Sequence, residues 1–184
     1  MHRDRAGGFT LVELMVSLAV LAILVGFALP SFRDFAERSW LRGVADSVTQ
    51  VIGTARTEAI KRNELVRVEF KQPASGGFCL GAATVATVTT AGCDCSATAC
   101  AVAMYPANPD EIESLVLAAA PSFGTDTAFV VDPATGMLSD VADAGSVQFA
   151  SPRGYSVRLT VNPMGRASLC TPSGTRALSG VDPC

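Results

Sequence analysis

One carboxylate in this sequence lies where a charge is costly. Glu13 falls inside an apolar run that extends from Phe9 to Leu29. A lone carboxylate within hydrocarbon costs on the order of 2.5 to 3.5 kcal/mol on insertion scales, so it is expected to have a partner. The alternative interpretation is a glutamate whose side chain reaches the membrane interface from the end of an ordinary anchor.

Groups that could act as catalysts are scarce. The only histidine is His2, in the short polar segment before the apolar run, so the rest of the chain has no Ser-His-Asp, Cys-His or histidine-metal site. The stretch SGGFCLG lacks the lysine and the following helix of a phosphate-binding loop. Asp110, Glu111 and Glu113 are interpreted as a solvated loop rather than a catalytic pair. The sequence therefore predicts a protein that is not an enzyme and has no cofactor.

Six cysteines follow the apolar run, and an even number in an exported domain favours disulfides. They are Cys79, Cys93, Cys95, Cys100, Cys170 and Cys184. Cys93 and Cys95 are too close in sequence to pair easily with each other, so each is expected to have another partner. The stretch CDCSATAC also allows a zinc site made of thiolates, although an oxidising compartment disfavours it.

Four segments must position these residues. They are a basic segment at 1–8, an apolar helix at 9–29, an amphipathic helix at 30–62 and a β-rich domain at 63–184. The amphipathic segment repeats its apolar residues at spacings of three and four, at Leu41, Val44, Val48, Val51, Ala55 and Ala59. Gly26 and Pro30 are expected to bend or locally melt the helix, and Asn63 is expected to cap its end after Arg62.

Beyond Asn63 the apolar period changes to two, which predicts strands. Candidate strands are 65–70, 78–80, 101–105, 114–117, 128–131, 146–150, 155–161 and 166–170. The turns DPATG, SPRG and NPMG, which end at Gly136, Gly154 and Gly165, each combine proline with a later glycine. A long helix followed by short antiparallel strands predicts an α+β architecture.

The stretch GGFTLVEL at 7–14 resembles the type IV prepilin signal. The resemblance implies a leader at 1–8, cleavage between Gly8 and Phe9 by a prepilin peptidase, and methylation of the new amine on Phe9. It also implies that Glu13 pairs with the Phe9 amine of a neighbouring subunit, which sets the register of assembly because a wrong register leaves a charge unpaired. The implied location is the inner membrane, with a periplasmic domain, and then the cell-surface pilus.

The stretch ARTEAIKRNELVRVEF at 55–70 resembles the GspH/FimT branch of pilin-like proteins, and so does the later pair Gly165 and Arg166. The resemblance implies a type IV pilin-like fold, in which the long helix packs on an antiparallel sheet domain. The implied function is a minor pilin that helps to initiate or cap a filament, together with other major and minor pilins and an inner-membrane assembly platform. The alternative is a minor pseudopilin of type II secretion. Arg56 and Glu58 are either a solvated helix face or a subunit contact.

The same resemblance bears on the cysteines. Many pilins have a disulfide-bounded loop near the C-terminus, which implies a bond between Cys170 and Cys184. The other four cysteines then form two bonds, and three pairings remain open.

Charge is distributed unevenly along the chain. The formal net charge of −3 does not favour non-specific nucleic-acid binding. Residues 72–152 include eight acidic residues and no basic one, whereas the following segment has Arg153, Arg158, Arg166 and Arg176. Some FimT-like relatives bind DNA through Gly-Arg-x-Arg, but Ser168 replaces the second arginine in this chain. The two hypotheses are binding of double-stranded DNA by these arginines and arginines that only keep loop tips soluble.

Overall fold

The computed structural model describes residues 10–73, 77–108, 117–124 and 126–184, without the side chains of 27–31. The chain falls into two compact units, Met1–Arg38 and Ser39–Cys184. One helix, α1, runs from Leu11 to Arg62. Among the described residues, no helix has an apolar stretch long enough to cross a membrane.

Both ends of α1 are capped, and the C-terminal cap is the one expected from the sequence. The hydroxyl of Thr10 accepts a hydrogen bond from the backbone N–H of Glu13 at 3.2 Å, as an N-cap residue does. At the other end Asn63 has a φ of 54°, and the N–H of Glu64 donates to the carbonyl of Ala59 at 3.2 Å. This pattern is a Schellman cap, and α1 ends at Arg62 as the sequence predicts.

The expected interruption at Gly26 and Pro30 is only partly tested. Helix α1 is continuous from Leu11 to Arg62, so the helix does not melt at these residues. A continuous helix still accommodates a bend at proline, where one backbone hydrogen bond is missing. The bend therefore stays a prediction.

The second part of α1 packs its apolar stripe into the core of the C-terminal unit. All six residues of the predicted stripe are buried, and Ala45 and Ile52 are buried beside them. The stripe is therefore wider than a spacing of three and four alone indicates, which suits a helix that packs against sheets rather than against a single helix.

Eight strands form two antiparallel sheets. They are β1 Leu65–Lys71, β2 Cys79–Val85, β3 Ala103–Tyr105, β4 Leu117–Phe123, β5 Ala128–Val131, β6 Gly145–Ala150, β7 Ser156–Val161 and β8 Ala167–Cys170. The first sheet has the order β3-β2-β1-β5 and the second has the order β4-β6-β7-β8. The α+β fold that the sequence predicts, a long helix followed by antiparallel sheets, is confirmed.

Two strands differ from their sequence predictions by more than two residues. β2 continues to Val85 and β4 begins where the predicted strand ends, at Leu117; residues 114–116 of that prediction lie outside the described part of the chain. The missed segments, GAATV and AAAPSF, are rich in alanine and include glycine or proline, which have low strand propensity. Pairing with β1 and β6 holds them extended, so long-range contacts override local preference there.

The two sheets and α1 share one hydrophobic core. Aromatic rings join its parts, because Phe123 of β4 stacks on Phe70 of β1 with centroids 5.3 Å apart. Phe78 lies 5.0 Å from Phe149 of β6. Such ring pairs add about 0.5 to 1.5 kcal/mol each beyond the area they bury, so the second sheet is firmly attached to the first.

Candidate functional site

The predicted assembly residue lies in the first turn of α1. Gly8 and Phe9, the predicted cleavage site, lie outside the described residues. Glu13 shares an open helix face with Val16, Ser17, Val20, Leu21 and Leu24. No hydrogen bond or ion pair joins its carboxylate to another residue that the structure describes. A carboxylate on an apolar helix face is suited to form an ion pair with a cationic group of another molecule.

The six cysteines form three disulfides. Cys79 pairs with Cys95, and Cys93 pairs with Cys100. These bonds occupy all three sulfurs of the stretch CDCSATAC, so the thiolate site that the sequence left open is not formed. Gly81 of β2 allows the bonded loop to approach, because a Cβ built on it would lie 2.6 Å from the sulfur of Cys100.

The third disulfide joins Cys170 to Cys184, the pairing that the pilin resemblance implies. Backbone hydrogen bonds support it, since the N–H of Thr171 donates to the carbonyl of Asp182 at 2.7 Å and the N–H of Cys184 donates back to Thr171 at 2.9 Å. The C-terminal segment is therefore held beside β8 by both covalent and hydrogen bonds.

The structure brings two of the four C-terminal arginines close together. The backbone N–H of Arg176 donates to the carbonyl of Gly154 at 3.1 Å, which places it next to the SPRG turn and its Arg153. The guanidinium carbon of Arg176 lies 5.5 Å from the ring centroid of Tyr155, within the range of a cation–π contact. Both arginines are exposed, so this end of β7 presents two positive charges.

The other two arginines lie farther along the same hairpin. Arg158 is in β7, half-buried, and its guanidinium donates to the side-chain oxygen of Gln148 at 3.3 Å. Arg166 follows the turn that joins β7 to β8, at the opposite end from Tyr155. Six residues of strand span about 20 Å. The four arginines therefore do not form one compact cluster, and Arg166 is the most distant.

Arg166 instead lies near the end of α1. A Cβ built on Gly165 would be 2.9 Å from the carbonyl oxygen of Gly136 and 3.9 Å from Cδ of Arg56. A Cβ on Gly136 would be 3.1 Å from Nε of Arg56. The two segments that carry the GspH/FimT resemblance, separated by over a hundred residues, therefore meet at two glycine turns. The sequence predicted a turn that ends at Gly136, but it did not predict that the two segments meet there, because a local stretch does not indicate which distant residues it contacts.

Glu58, which lies on the same segment of α1 as Arg56, has a local role. Its carboxylate accepts hydrogen bonds from Lys61 at 3.0 Å and from Arg62 at 2.8 Å. These bonds, chiefly that of Arg62, hold the pKa of Glu58 below its ordinary value. Pairs at spacings of three and four stabilise a helix end, so Glu58 supports the last turn of α1.

A second group of charges lies on the first sheet. Arg67 bonds Glu69 at 3.3 Å and Asp126 at 2.6 Å, and Lys71 bonds Glu69 at 3.0 Å. The hydrogen bond to Glu69 raises the pKa of Lys71. Three of these charged residues lie on β1 and Asp126 lies just before β5, so the charges pair with one another within the sheet, which is a structural arrangement. The acidic residues Asp110, Glu111 and Glu113 lie outside the described residues.

Comparisons with known proteins give matches to both the N-terminal and the C-terminal part of the chain. Residues 3–29 match the prokaryotic N-terminal methylation motif, and residues 44–165 match the family of the type II transport protein GspH. The chain is 37% identical over 73 residues to the pilin-like protein PilA1 of Thermus thermophilus, covering 40% of this chain and 46% of that protein. It is 30% identical over 59 residues to a fimbrial protein of Pseudomonas aeruginosa, covering 32% and 38%.

The alignments therefore span less than half of the relatives' own lengths. No solved structure matches the chain.

Proposed function

Since the chain belongs to the GspH family of type IV pilin-like proteins, we propose that it is a minor pilin of a type IV pilus. Pilins and pseudopilins are structural proteins and not enzymes, in agreement with the sequence prediction. In the proposed role, a prepilin peptidase cleaves after Gly8 and Phe9 is methylated. The first part of α1 then anchors the chain in the inner membrane before other pilins and the assembly platform incorporate it into the filament.

One observation carries this proposal. Glu13 lies on an apolar face of α1, at the fifth position after the proposed cleavage, inside a segment that matches the N-terminal methylation motif. A cationic N-terminal amine on a neighbouring subunit would form an ion pair with this carboxylate. Correct axial register would then be favoured, because any other register leaves the carboxylate unpaired in an apolar environment.

The runner-up is a minor pseudopilin of type II secretion. The family description favours it, whereas the pilin-like and fimbrial names of the relatives favour the pilus. Deletion of the gene distinguishes the two. Loss of surface pili with normal protein secretion supports the minor pilin, and loss of secretion with normal pili supports the pseudopilin.

The proposal is tested by the substitution Glu13→Ala in the full chain. The single-subunit membrane form should persist, because an unfavourable charge has been removed from the anchor. The amount in purified filaments should fall sharply, because the partner of the neighbouring amine is gone. Quantitative immunoblots of membrane and filament fractions measure both.

Two controls make this test specific. Asp46→Ala removes an exposed carboxylate elsewhere on α1, which pairs with Arg42 at 3.8 Å, and should leave incorporation unchanged. Intact mass of the membrane form should correspond to a methylated chain that starts at Phe9. An N-terminus beyond Leu29, or normal incorporation of the Glu13→Ala chain, would contradict the proposal.

We also propose, as a second function, weak binding of double-stranded DNA. It rests on the two exposed arginines, Arg153 and Arg176, at one end of β7, with Arg158 farther along the strand. Arginines in turns can contact phosphates without regular secondary structure. With about two to four phosphate contacts, the slope of log K against log salt should be roughly −2 to −4.

The DNA proposal predicts which arginine matters. The family motif points to Arg166, whereas the arrangement of the side chains favours Arg153 and Arg176. Mobility shifts of DNA with the full detergent-solubilised chain should weaken more in Arg153→Ala with Arg176→Ala than in Arg166→Ala. The reverse order would assign the contact to the family motif. No retardation at low salt by the folded chain would leave only the structural function.

A further inference from the structure

A mixed surface lies where the end of α1 meets the two glycine turns. We define the methionine surface by Ile60, Met137 and Met164, together with Arg56 and Arg166. Ile60, Met137 and Met164 are 50%, 39% and 50% exposed. We propose that the methionine surface docks an acidic segment, carrying at least one apolar side chain, of a neighbouring pilin-family subunit.

Close backbone contacts hold these residues together. The N–H of Leu138 donates to the carbonyl of Pro163 at 3.1 Å, so the residues next to Met137 and Met164 are joined directly. A Cβ on Gly136 would lie 2.8 Å from Cδ1 of Ile60. Three segments distant in sequence therefore meet at this place, and at Gly165 the backbone has no room for a side chain because a Cβ would meet the carbonyl oxygen of Gly136.

The charges define the partner. Neither the guanidinium of Arg56 nor that of Arg166 has a hydrogen bond or ion pair with any residue that the structure describes. The side chain of Arg56 lies against the Gly136 turn, and Arg166 directly follows Gly165, so one anion at these turns is within reach of both arginine side chains. Arginine binds carboxylates in a bidentate manner, and a segment with aspartate or glutamate meets that requirement.

The apolar residues of the methionine surface favour a protein partner over a nucleic acid. Methionine and arginine are enriched in protein interfaces, where they surround a desolvated centre. Phosphates would leave the three exposed apolar side chains without a partner. An acidic segment with an apolar side chain matches both components of the methionine surface.

This inference rests on the proposed function, because it requires that the chain assemble with other pilins. It adds a second contact, in the C-terminal unit, to the contact that Glu13 would make. The two are separable by experiment, since the methionine surface shares no residue with the Glu13 face.

Photocrosslinking in cells tests the proposal with the full chain. A photoreactive amino acid replaces Met164, and the same group at Val88, which is 49% exposed in another loop, is the matched control. Illumination should join position 164, and not position 88, to a pilin-family subunit. Mass spectrometry should locate the adduct in a peptide that contains acidic and apolar residues.

Charge reversal then tests the role of the arginines. Arg56→Glu with Arg166→Glu should lower the adduct yield at least about fivefold, as expected for charges central to an interface. Arg42→Glu, at an exposed arginine elsewhere in the C-terminal unit, should leave it within about twofold. Because Arg56 is half-buried, Arg166→Glu alone is tested as well, with the melting temperature of each variant measured. Replacing the partner's crosslinked acid by lysine should restore the yield with Arg166→Glu.

The outcomes that would overturn the inference are specific. They are an adduct at position 164 no stronger than at position 88, an adduct with lipid or nucleic acid, a peptide without acidic residues, or a yield unaffected by both charge reversals. If the chain is processed at Phe9 and present in filaments, such a result refutes only the docking surface. If the chain is unprocessed and absent from filaments, the proposed function fails instead.

Discussion

The two parts of α1 carry similar apolar residues but differ in what covers them. From Leu41 to Ala59 the six residues of the apolar stripe are 0% to 7% exposed. From Leu11 to Val25 the large apolar side chains are 47% to 71% exposed in the single chain. In the C-terminal unit two sheets cover the stripe. The first part of α1 has no such cover among the described residues, and the proposed filament would supply it from other subunits.

This difference teaches that one helix can divide its apolar residues between folding and assembly. Burial of a leucine stabilises a fold by about 1.5 to 3 kcal/mol, but only where the same chain provides the surrounding atoms. Substitutions in the two parts should therefore affect different measurements.

The largest effect is expected from matched leucine truncations. Leu41→Ala should lower the free energy of unfolding of the C-terminal unit by about 2 to 5 kcal/mol, because it leaves a cavity in the core. Leu21→Ala, at a residue that is 56% exposed, should change it by less than about 0.5 kcal/mol and should lower filament incorporation instead. Urea unfolding and filament immunoblots measure the two effects.

Equal losses of unfolding free energy in both variants would break the comparison. Such a result would mean that the exposed part of α1 is also buried within the single chain. Normal incorporation of Leu21→Ala would mean that this face of the helix makes no contact in the filament.

Local signals in the sequence predicted the elements that local interactions determine. The stripe and cap of α1 follow from helical periodicity and from Asn63, and the three turns follow from proline paired with glycine. Gly136, Gly154 and Gly165 have φ values of 65°, 84° and 69°, which glycine adopts at no steric cost. These features require no knowledge of distant segments.

Features that depend on long-range contacts were not predictable. The pairings of Cys79 with Cys95 and Cys93 with Cys100 depend on how the loop after β2 returns to that strand. The alanine-rich strand β4 depends on its partner β6. The contact of Arg56 with the glycine turns requires the packing of α1 against two separate hairpins, which no short stretch of sequence encodes.

A smaller loss of stability is expected from alanine substitutions at two glycines, which distinguish the close contact at the methionine surface from backbone strain alone. Gly165 and Gly174 have φ values of 69° and 80°, so alanine at either residue incurs roughly 1 to 2 kcal/mol of strain. A Cβ on Gly165 also lies 2.9 Å from the Gly136 carbonyl oxygen, whereas one on Gly174 has nothing within 4 Å. Gly165→Ala should therefore destabilise the protein more than Gly174→Ala in urea unfolding. Equal losses would show that the two turns move apart freely.

The smallest effect on stability is expected at the C-terminal end of α1. Hydrogen bonds from Arg62 and Lys61 hold the pKa of Glu58 below its ordinary value of 4.5. The folded state is favoured while this carboxylate is ionised, so its contribution is fully present above about pH 4.5 and is lost as the pH falls through the lowered pKa. Glu58→Gln should lower the melting temperature slightly at pH 7, and the gap to the unsubstituted protein should narrow as the pH falls below about 4.5. Glu64→Gln controls for the loss of one negative charge just beyond the helix. Calorimetry across this pH range measures the gap, which should be small because the pairs are solvent-exposed. A gap that stays constant from pH 7 to pH 3 would show that Glu58 acts through packing, and the last turn of α1 would then depend on the buried stripe alone.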